Sequence, residues 1–479
     1  MSYLKTRGNR SIVLNLHSLI SASTLTFLII MTSLALTLFF KPLSITNVDS
    51  DLLKALRGYG YAEGYAVVEA SKAYLLPPAL KAWRFGDYLI LKYRFTRENL
   101  RRIAKYSLYV CAYRKVNIID PIGFMKAIAS QELQDALREA KEYVGDAKRD
   151  FHNASERWTG KNVVVCVIDS GIDYLHPDLI NNTYMVVSMF VYGNGHPLVW
   201  INGVNGTWQE AWIYEQEINR TYGVLPWMDL YGHGTHVSGI IAGTGEASNG
   251  VIKGLAPDVK LIVIKAFRDD GTSTTDILLD ALDWVKRFAK DFNITIINMS
   301  FGALGPTHGK DPLSVACDLL ADMGLILFAS AGNDYAFPFT IAIPACARKV
   351  IAIGSISPYS SKIPSWTSIG PTDDGRIKPE FICAGVWILS TKPVTVKSYL
   401  EDVLSDAVRD QYYMWLSGTS MSCAVASGLG AEYAEWYYYV FHEYPNWRSI
   451  IYYFRKYAKR INPFFKDFIT GWGIPKGIQ

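Results

Sequence analysis

Residues 163–169 read Val-Val-Val-Cys-Val-Ile-Asp, an unbroken run of β-branched residues and one cysteine that ends in a carboxylate. This composition is typical of a strand that is buried on both faces. Similar runs recur at Leu261–Phe267, Ile294–Met299, Leu325–Ala329 and Val350–Ile353. Segments with helical periodicity, Asp276–Phe292 and Pro312–Met323, lie between them. The alternation predicts an α/β fold, in which a mostly parallel central sheet carries helices on both faces.

Residues suited to nucleophilic catalysis lie in four separate blocks of this part of the chain. Asp169 ends the first apolar run, and Asn333 follows a later run within Ser-Ala-Gly-Asn. His233 lies in Gly-His-Gly-Thr-His, and Ser420 lies in Ser-Gly-Thr-Ser-Met-Ser. A serine hydroxyl needs a base to take its proton, a carboxylate to orient that base, and donors for the oxyanion. The four residues supply all of these parts.

These blocks resemble those of the subtilisin-like serine proteases, the subtilases, and follow the same order of Asp, His and Ser. The resemblance covers roughly residues 150–479. It implies a subtilisin-like three-layer fold and a serine endopeptidase that cuts protein or peptide substrates through an acyl-enzyme. The triad would be Asp169, His233 and Ser420, with Asn333 in the oxyanion hole; loss of Asn333 should cost about 10²–10³ in turnover.

The resemblance also implies a substrate-binding strand and the walls of a specificity pocket. These are formed by Ser300, Phe301, Gly302, Ser330, Ala331 and Gly332. Neither segment carries an acidic or basic side chain. We therefore expect a large apolar or aromatic residue before the scissile bond.

The second histidine of the His233 block needs its own interpretation. His236 follows by three positions and would share a helix face with His233, as a pair of metal ligands can. The zinc-protease motif also requires a Glu general base, which this block lacks. We interpret His236 as a structural histidine, and no cofactor is required for the predicted catalysis. Asp178 matches a position that ligates structural calcium in some relatives, so the resemblance makes a calcium site there an expectation.

Two departures from the family pattern lie near the nucleophile. Ala424 stands where subtilases usually have a proline, and Cys383-Ala384-Gly385 stands where they usually have Ala-Pro-Gly. Altered crowding beside Ser420 would change the rate or the fate of the acyl-enzyme. Acyl transfer to an amine, a transpeptidase reaction, therefore remains open. The other alternative is a catalytically silent subtilase fold that serves as a binding or scaffold module, against which the complete triad argues.

The N-terminus indicates a membrane segment. Residues 1–18 contain Lys5, Arg7 and Arg10, and residues 19–40 are a 22-residue apolar run. A spanning helix needs about 20 such residues, and the positive-inside rule places the basic end in the cytoplasm. We predict a single-pass cell-membrane anchor with an extracytoplasmic catalytic domain. A cleaved signal peptide, which would yield a secreted protein, is the alternative.

Residues 42–120 are predicted to form a small α+β domain. Leu89–Phe95 has strand periodicity, Arg97–Tyr106 is predicted to be a helix, and Ser107–Ile119 is predicted to be a strand. Subtilases carry a propeptide in this position, which caps the cleft and is cut off by the enzyme, so the chain's own propeptide is the expected intramolecular inhibitor. A spacer that holds the protease off the membrane is the alternative.

The remaining boundaries follow from these assignments. Residues 121–148 are predicted to be a linker helix and maturation region, with the cut between roughly 115 and 148. Residues 149–479 are predicted to be the catalytic domain, with a surface insertion at 180–228. The net charge of +4 gives no indication of a nucleic-acid partner. Of the six cysteines we expect at most one pair to form a disulfide.

Overall fold

A computed structural model describes residues 48–59, 61–118 and 131–478. The basic segment 1–18, the apolar run 19–40 and the first part of the linker, 121–130, lie outside the described residues. The predictions made for those segments therefore stay predictions. Within the described ranges, no helix combines the length and the apolar character that a membrane crossing requires.

A small α+β domain opens the described part of the chain. Its elements are α1 (Ser50–Tyr59), β1 (Tyr61–Glu69), β2 (Lys81–Phe85), β3 (Tyr88–Thr96), α2 (Arg97–Tyr106) and β4 (Tyr109–Ala112). The four strands form an antiparallel sheet in the order β2-β3-β1-β4. Thr96 caps α2 by accepting from the backbone N–H of Asn99, which explains why this helix begins where the sequence predicts. Leu56, Phe95 and Ile103 belong to a hydrophobic core of the domain's own.

The rest of the chain alternates strands and helices. In order these are β5 (Lys115–Ile118), α3 (Gln131–Glu142), α4 (Ala147–His152), β6 (Val164–Asp169), β7 (Thr183–Gly193), β8 (His196–Ile201), α5 (Trp208–Tyr222), α6 (His233–Ala242), β9 (Lys260–Lys265), β10 (Thr272–Thr274), α7 (Thr275–Phe288), β11 (Ile294–Met299), β12 (Phe301–Gly302), α8 (Pro312–Asp322), β13 (Ile326–Ser330), β14 (Ile351–Ile356), β15 (Phe381–Ala384), β16 (Ile388–Thr391), α9 (Tyr399–Val403), β17 (Tyr413–Leu416), α10 (Thr419–Phe441) and α11 (Trp447–Tyr457).

Eight of these strands form the central sheet, in the order β15-β14-β13-β11-β6-β9-β7-β8. All neighbouring strands are parallel except the edge strand β8, which is antiparallel to β7. The predicted α/β fold with a mostly parallel sheet is thus confirmed. All six cysteines are buried with free thiols.

Helices cover the sheet in two groups. α10 is buried from Thr419 to Ala434 and packs on β11, β13, β14 and β15, while α6 packs against α10 and β6. α7 and α8 pack against each other and contact β7 and β13, respectively. The small N-terminal domain rests on this second group, since β2 contacts α7 and β1 contacts α8.

The structure differs from the sequence analysis in two places. The single strand expected at Ser107–Ile119 is divided into β4 and β5, which belong to different sheets. The stretch 180–228 is not wholly a surface insertion, because β7 pairs with β9 from Thr183 to Ser188 inside the central sheet. β8 is the antiparallel edge strand of that sheet, so only α5 and the loops around it lie outside the sheet, and Trp208 and Trp227 are buried in this region.

Candidate active site

The carboxyl edge of the central sheet brings the predicted catalytic residues together. Asp169 is the last residue of β6, and Asn333 follows the end of β13. His233 is the first residue of α6, and Ser420 lies in the first turn of α10. Because α6 and α10 pack against each other, two helix N-termini meet at this edge. Helix N-termini favour nearby negative charge, such as a developing oxyanion.

Asp169 and His233 form a buried pair. Nδ1 of His233 lies 2.8 Å from Oδ1 of Asp169, and both side chains are 0% exposed. A carboxylate can only accept, so Nδ1 carries the hydrogen and Nε2 is left as an acceptor. Asp169 Oδ1 also accepts from the backbone N–H of Ser170 at 2.8 Å, which fixes the carboxylate. This is the tautomer that a general base needs.

Asp229 positions this pair, although the sequence analysis assigns it no role. One of its carboxylate oxygens accepts from Ser170 Oγ and the Gly232 N–H, both at 2.8 Å. The other accepts from the N–H and the hydroxyl of Thr235, at 2.8 and 2.7 Å. Asp229 thereby caps the helix that begins at His233. Because the N-cap position itself is Gly232 and Asp229 lies three residues before it, no short capping motif indicates this role.

Ser420 is held beside the predicted substrate strand. Its hydroxyl donates to the carbonyl oxygen of Ser300 at 2.9 Å, and the Ser300 hydroxyl donates to the carbonyl oxygen of Ser420 at 2.9 Å. Ser420, the predicted nucleophile, is 1% exposed. Its hydroxyl is therefore engaged with Ser300 here, and no hydrogen bond joins it to His233 Nε2.

Asn333 is oriented by the residue before the nucleophile. Its Oδ1 accepts from both the N–H and the hydroxyl of Thr419, each at 3.0 Å. Those contacts identify the oxygen and leave Nδ2 as the free end of the amide. A side chain at Gly418, which has a φ of 155°, would approach that Nδ2 to 3.2 Å. Glycine therefore keeps the space in front of the amide open.

Three buried polar atoms of the predicted catalytic residues lack partners. Among the described residues, Asp169 Oδ2, His233 Nε2 and Asn333 Nδ2 have no hydrogen-bond partner. Leaving a buried acceptor or donor unpaired costs about 1–3 kcal/mol. Such groups persist where they have a functional role. His233 Nε2 is a free acceptor and Asn333 Nδ2 is a free donor, which are the two functions that acyl transfer at Ser420 would require.

The predicted substrate-binding strand, β12, pairs along its edge with the chain's own strand β5. Ile118 lies opposite Phe301 and Asn117 opposite Gly302, while Thr272–Thr274 pairs with β5 on its other side. The result is a three-stranded antiparallel sheet, β10-β5-β12. Ser330 Oγ donates to the carbonyl oxygen of Phe301 at 3.4 Å, so the two predicted wall segments, 300–302 and 330–332, adjoin.

His236 points away from this chemistry. Its Nε2 lies 3.1 Å from the carbonyl oxygens of both Ile388 and Met414, so it donates to β16 and β17. Burial, together with the neighbouring His233, lowers the pKa of His236 to about 3. The ring is therefore neutral at ordinary pH and links α6 to these strands, in agreement with a structural histidine.

The surroundings of Asp178 do not suit calcium. Its Oδ1 accepts from the Ala247 N–H at 2.8 Å and its Oδ2 accepts from the Tyr413 hydroxyl at 2.7 Å. Residues 246–253 form the loop that would supply further ligands. This loop is held by a hydrogen bond that the Lys253 N–H donates to the Asp146 carboxylate at 3.0 Å. Calcium needs six to eight oxygen ligands, and the described residues contain no cluster of three or more His, Cys, Asp or Glu side chains that could hold a metal. Both oxygens of the Asp178 carboxylate are thus already taken by hydrogen-bond donors.

We expect the thermal stability of this region to depend on Tyr413 and not on calcium. Tyr413→Phe leaves a buried carboxylate oxygen unpaired, which costs about 1.5–3 kcal/mol because the acceptor is charged. Thermal unfolding should show a lower Tm for Tyr413→Phe, whereas Tyr412→Phe, at the adjacent half-buried position, should leave it nearly unchanged. Addition of a chelator should not shift the Tm of the wild type. A chelator-induced fall that calcium reverses would contradict the expectation.

Comparisons with known proteins agree with this geometry. The family model described as the Subtilase family matches residues 160–460. Serine protease AprX of Bacillus subtilis (strain 168) is 30% identical over 318 residues, which is 64% of each chain. Subtilisin NAT of Bacillus subtilis subsp. natto is 32% identical over 241 residues, which is 50% of this chain and 51% of that protein. The chain thus spans less than two thirds of the length of either relative.

A solved structure described as S41 Psychrophilic Protease has the same fold. It superposes with a TM-score of 0.52 at 23% identity and covers 70% of this chain and 98% of that chain. At this identity the likeness concerns the fold alone. The family match is stronger, because it covers more than half of the chain and includes the blocks of Asp169, His233, Asn333 and Ser420. The chain therefore belongs to the subtilase family of subtilisin-like serine proteases.

Proposed function

We propose that this protein is a serine endopeptidase that hydrolyses peptide bonds through an acyl-enzyme on Ser420. The observation that carries the proposal is the pair of unpartnered buried atoms, the acceptor His233 Nε2 and the donor Asn333 Nδ2. Family membership supports the reaction class. Protein or peptide chains are the substrates, because an extended segment already pairs with β10 and β12 by main-chain hydrogen bonds.

The proposed reaction begins with a change of hydrogen-bond partner at Ser420. Rotation about the Cα–Cβ bond takes the hydroxyl from the Ser300 carbonyl towards His233 Nε2, between two staggered rotamers. His233 accepts the proton while Ser420 Oγ attacks the scissile carbonyl. Asp169, bonded to Nδ1 at 2.8 Å, holds the ring and stabilises the imidazolium that forms.

Asn333 and the helix N-terminus stabilise the tetrahedral intermediate. The carbonyl oxygen becomes an oxyanion, to which Asn333 Nδ2 and the backbone N–H of Ser420 donate. His233 then gives its proton to the leaving amine, and the C–N bond breaks to leave an acyl-enzyme. A water activated by the same histidine hydrolyses the ester and restores Ser420.

Fluorophosphonate labelling tests this assignment against a silent scaffold. The mature wild-type protein should carry one adduct, which mass spectrometry should place on Ser420. Ser422→Ala is the matched control, because the Ser422 hydroxyl donates to the Cys383 carbonyl at 3.0 Å and has no part in the reaction. It should label as fully as the wild type, and Ser420→Ala should not label. Absence of an adduct on the mature wild type would refute the proposal.

The N-terminal domain is proposed to be the intramolecular inhibitor of the enzyme. β5 lies where an extended substrate would bind. The four-stranded sheet of the N-terminal domain, β2-β3-β1-β4, is in turn held to α7 by two carboxylates of that helix. Asp276 accepts from the Tyr65 hydroxyl at 2.8 Å and pairs with Lys92. Burial raises the pKa of Tyr65, so its hydroxyl remains a donor. These contacts favour a propeptide over a detached spacer.

The second carboxylate, Asp280, lies one turn further along α7. It accepts from the Trp83 indole N–H at 2.8 Å and pairs with Lys81 at 2.7 Å. Maturation would cut the chain within a few residues after Ile118. β5 ends there opposite Phe301, the neighbour of Ser300, whose carbonyl oxygen accepts from Ser420. N-terminal sequencing of the mature protein would test this position.

Removing both carboxylates should weaken inhibition. In Asp276→Ala/Asp280→Ala four side chains of the N-terminal domain lose their acceptors, and we expect the inhibition constant of the cut domain to rise about 10²-fold. The matched control is Asp322→Ala, since Asp322 pairs with Lys349 within the catalytic part. Titration of mature enzyme with the cut domain measures the constant. Equal inhibition of the double variant and the control would contradict this role.

We further propose that the apolar run 19–40 tethers the protein to the cell membrane with its catalytic part outside the cytoplasm. The length of the run and the basic residues before it support this arrangement. The uncharged walls at 300–302 and 330–332 favour substrates with a large apolar residue before the scissile bond. Profiling of cleavage products from a peptide library would test that preference.

A further inference from the structure

An aromatic groove lies on the side of the catalytic part that is remote from Ser420. It has a volume of about 860 Å³ and runs between the end of α10 and the outer face of α11. We define it by the aromatic residues Trp436, Tyr437, Phe441, Tyr452, Tyr453 and Tyr457. None of these residues has a role in the proposed reaction.

Several of the rings that line the groove face solvent. The side chain of Tyr452 is 68% exposed, that of Phe441 53% and that of Tyr457 49%. Contiguous exposed apolar surface on a folded protein usually marks an interaction site. The exposed rings of the groove therefore indicate an interaction site.

The charge around the groove has one sign. Arg448, Lys456 and Lys476 line it, and no acidic side chain of the described residues does so. Of the six basic residues between Glu443 and Asp467, Arg448 and Lys456 line the groove, while Lys466 pairs with Glu380 at 3.2 Å. The whole chain carries only +4. This concentration selects a partner with an anionic surface.

The composition favours a lipid surface over a protein partner. Tyr and Trp rings settle at the headgroup level of bilayers, and basic residues nearby are attracted to anionic lipids. Protein interfaces also use aromatic residues and arginine, but they are depleted in lysine. The chain also carries the apolar run 19–40, whose length suits a bilayer.

The position of the groove is compatible with catalysis on such a surface. α10 begins beside Ser420 and ends at Phe441, and a helix of that length spans about 33 Å. A surface bound at the groove would therefore leave the cleft facing solution, where a substrate chain can enter.

We propose that the aromatic groove docks the catalytic part onto the anionic headgroups of a lipid bilayer. The docking itself does not depend on peptidase activity. Its consequence rests on the proposed maturation: a cut after Ile118 separates the catalytic part from the run 19–40, and the groove then keeps the mature enzyme at the membrane. The attachment is electrostatic in part and weakens as salt is added.

Hydroxyl-radical footprinting of the full chain on nanodiscs tests the proposal. The Ser420→Ala variant keeps the chain uncut, and discs of phosphatidylcholine are compared with discs that also contain phosphatidylglycerol. We expect oxidation of Tyr452 and Tyr457 to fall at least about threefold on the anionic discs. Tyr59 and Tyr74, which are 82% and 81% exposed in the N-terminal domain, serve as internal controls and should not change.

A charge-reversed variant makes the test specific. Arg448→Glu/Lys456→Glu should lose the protection on anionic discs, while retaining the circular dichroism of the parent. Equal oxidation on both kinds of disc would overturn the proposal.

Two other outcomes would assign the groove to a different partner. Protection that appears without lipid and grows with protein concentration would assign it to a second copy of the chain. Protection by a single-stranded oligonucleotide alone would assign it to nucleic acid. Because oxidation is read without turnover, a failure of the proposed peptidase activity would show separately, as missing fluorophosphonate label.

Discussion

His233→Ala should slow self-cleavage of the chain by about 10⁶-fold, because without the imidazole nothing accepts the proton of Ser420. Nδ1 of His233 is held by Asp169 at 2.8 Å, and Nε2 is the unpartnered atom that faces the reaction. Self-cleavage is the appropriate readout, since an inactive variant keeps β5 in its own cleft and blocks external substrates. The intact chain should persist on denaturing gels over times in which the wild type is fully cut.

His236→Gln is the matched control for this loss. The two histidines lie in one motif, but the His236 ring donates to the carbonyl oxygens of Ile388 and Met414, where a glutamine amide can also donate. We expect a lower Tm and a self-cleavage rate within about tenfold of the wild type. Self-cleavage of His233→Ala at a rate similar to that of His236→Gln would contradict the assignment of the general base.

The parts of the fold that the sequence predicts well are those set by local patterning. The apolar run that begins at Val163 becomes β6, and the helix expected at Arg97–Tyr106 begins at its Thr96 cap. The Asp, His, Ser and Asn blocks could be recognised because each has a characteristic short motif. Their meeting at one sheet edge follows from parallel strands, whose carboxyl ends share that edge.

What the sequence did not predict depends on pairings between distant residues. β5 looks like a continuation of β4, and only its partners β10 and β12, more than 150 residues away, draw it into the cleft. β7 was assigned to the insertion because the long interval between Asp169 and His233 indicates inserted residues, and the partner of β7, the strand β9, is remote in sequence. Asp229 acts through four hydrogen bonds to Ser170, Gly232 and Thr235, which no motif reveals.

Asp169→Asn should slow self-cleavage by about 10⁴-fold, a smaller loss than that expected for His233→Ala. The carboxylate can only accept, so it keeps the hydrogen of His233 on Nδ1; an asparagine NH₂ group there would favour the tautomer with hydrogen on Nε2, which cannot take the proton of Ser420. Asp173→Asn is the matched control, since Asp173 is equally buried but accepts from Val394 and Thr395. It should lower the Tm and leave the rate within about tenfold. Time courses of the intact chain give both rates. If the two variants were equally slow, the Asp169 carboxylate would serve only the fold, and the tautomer argument would be wrong.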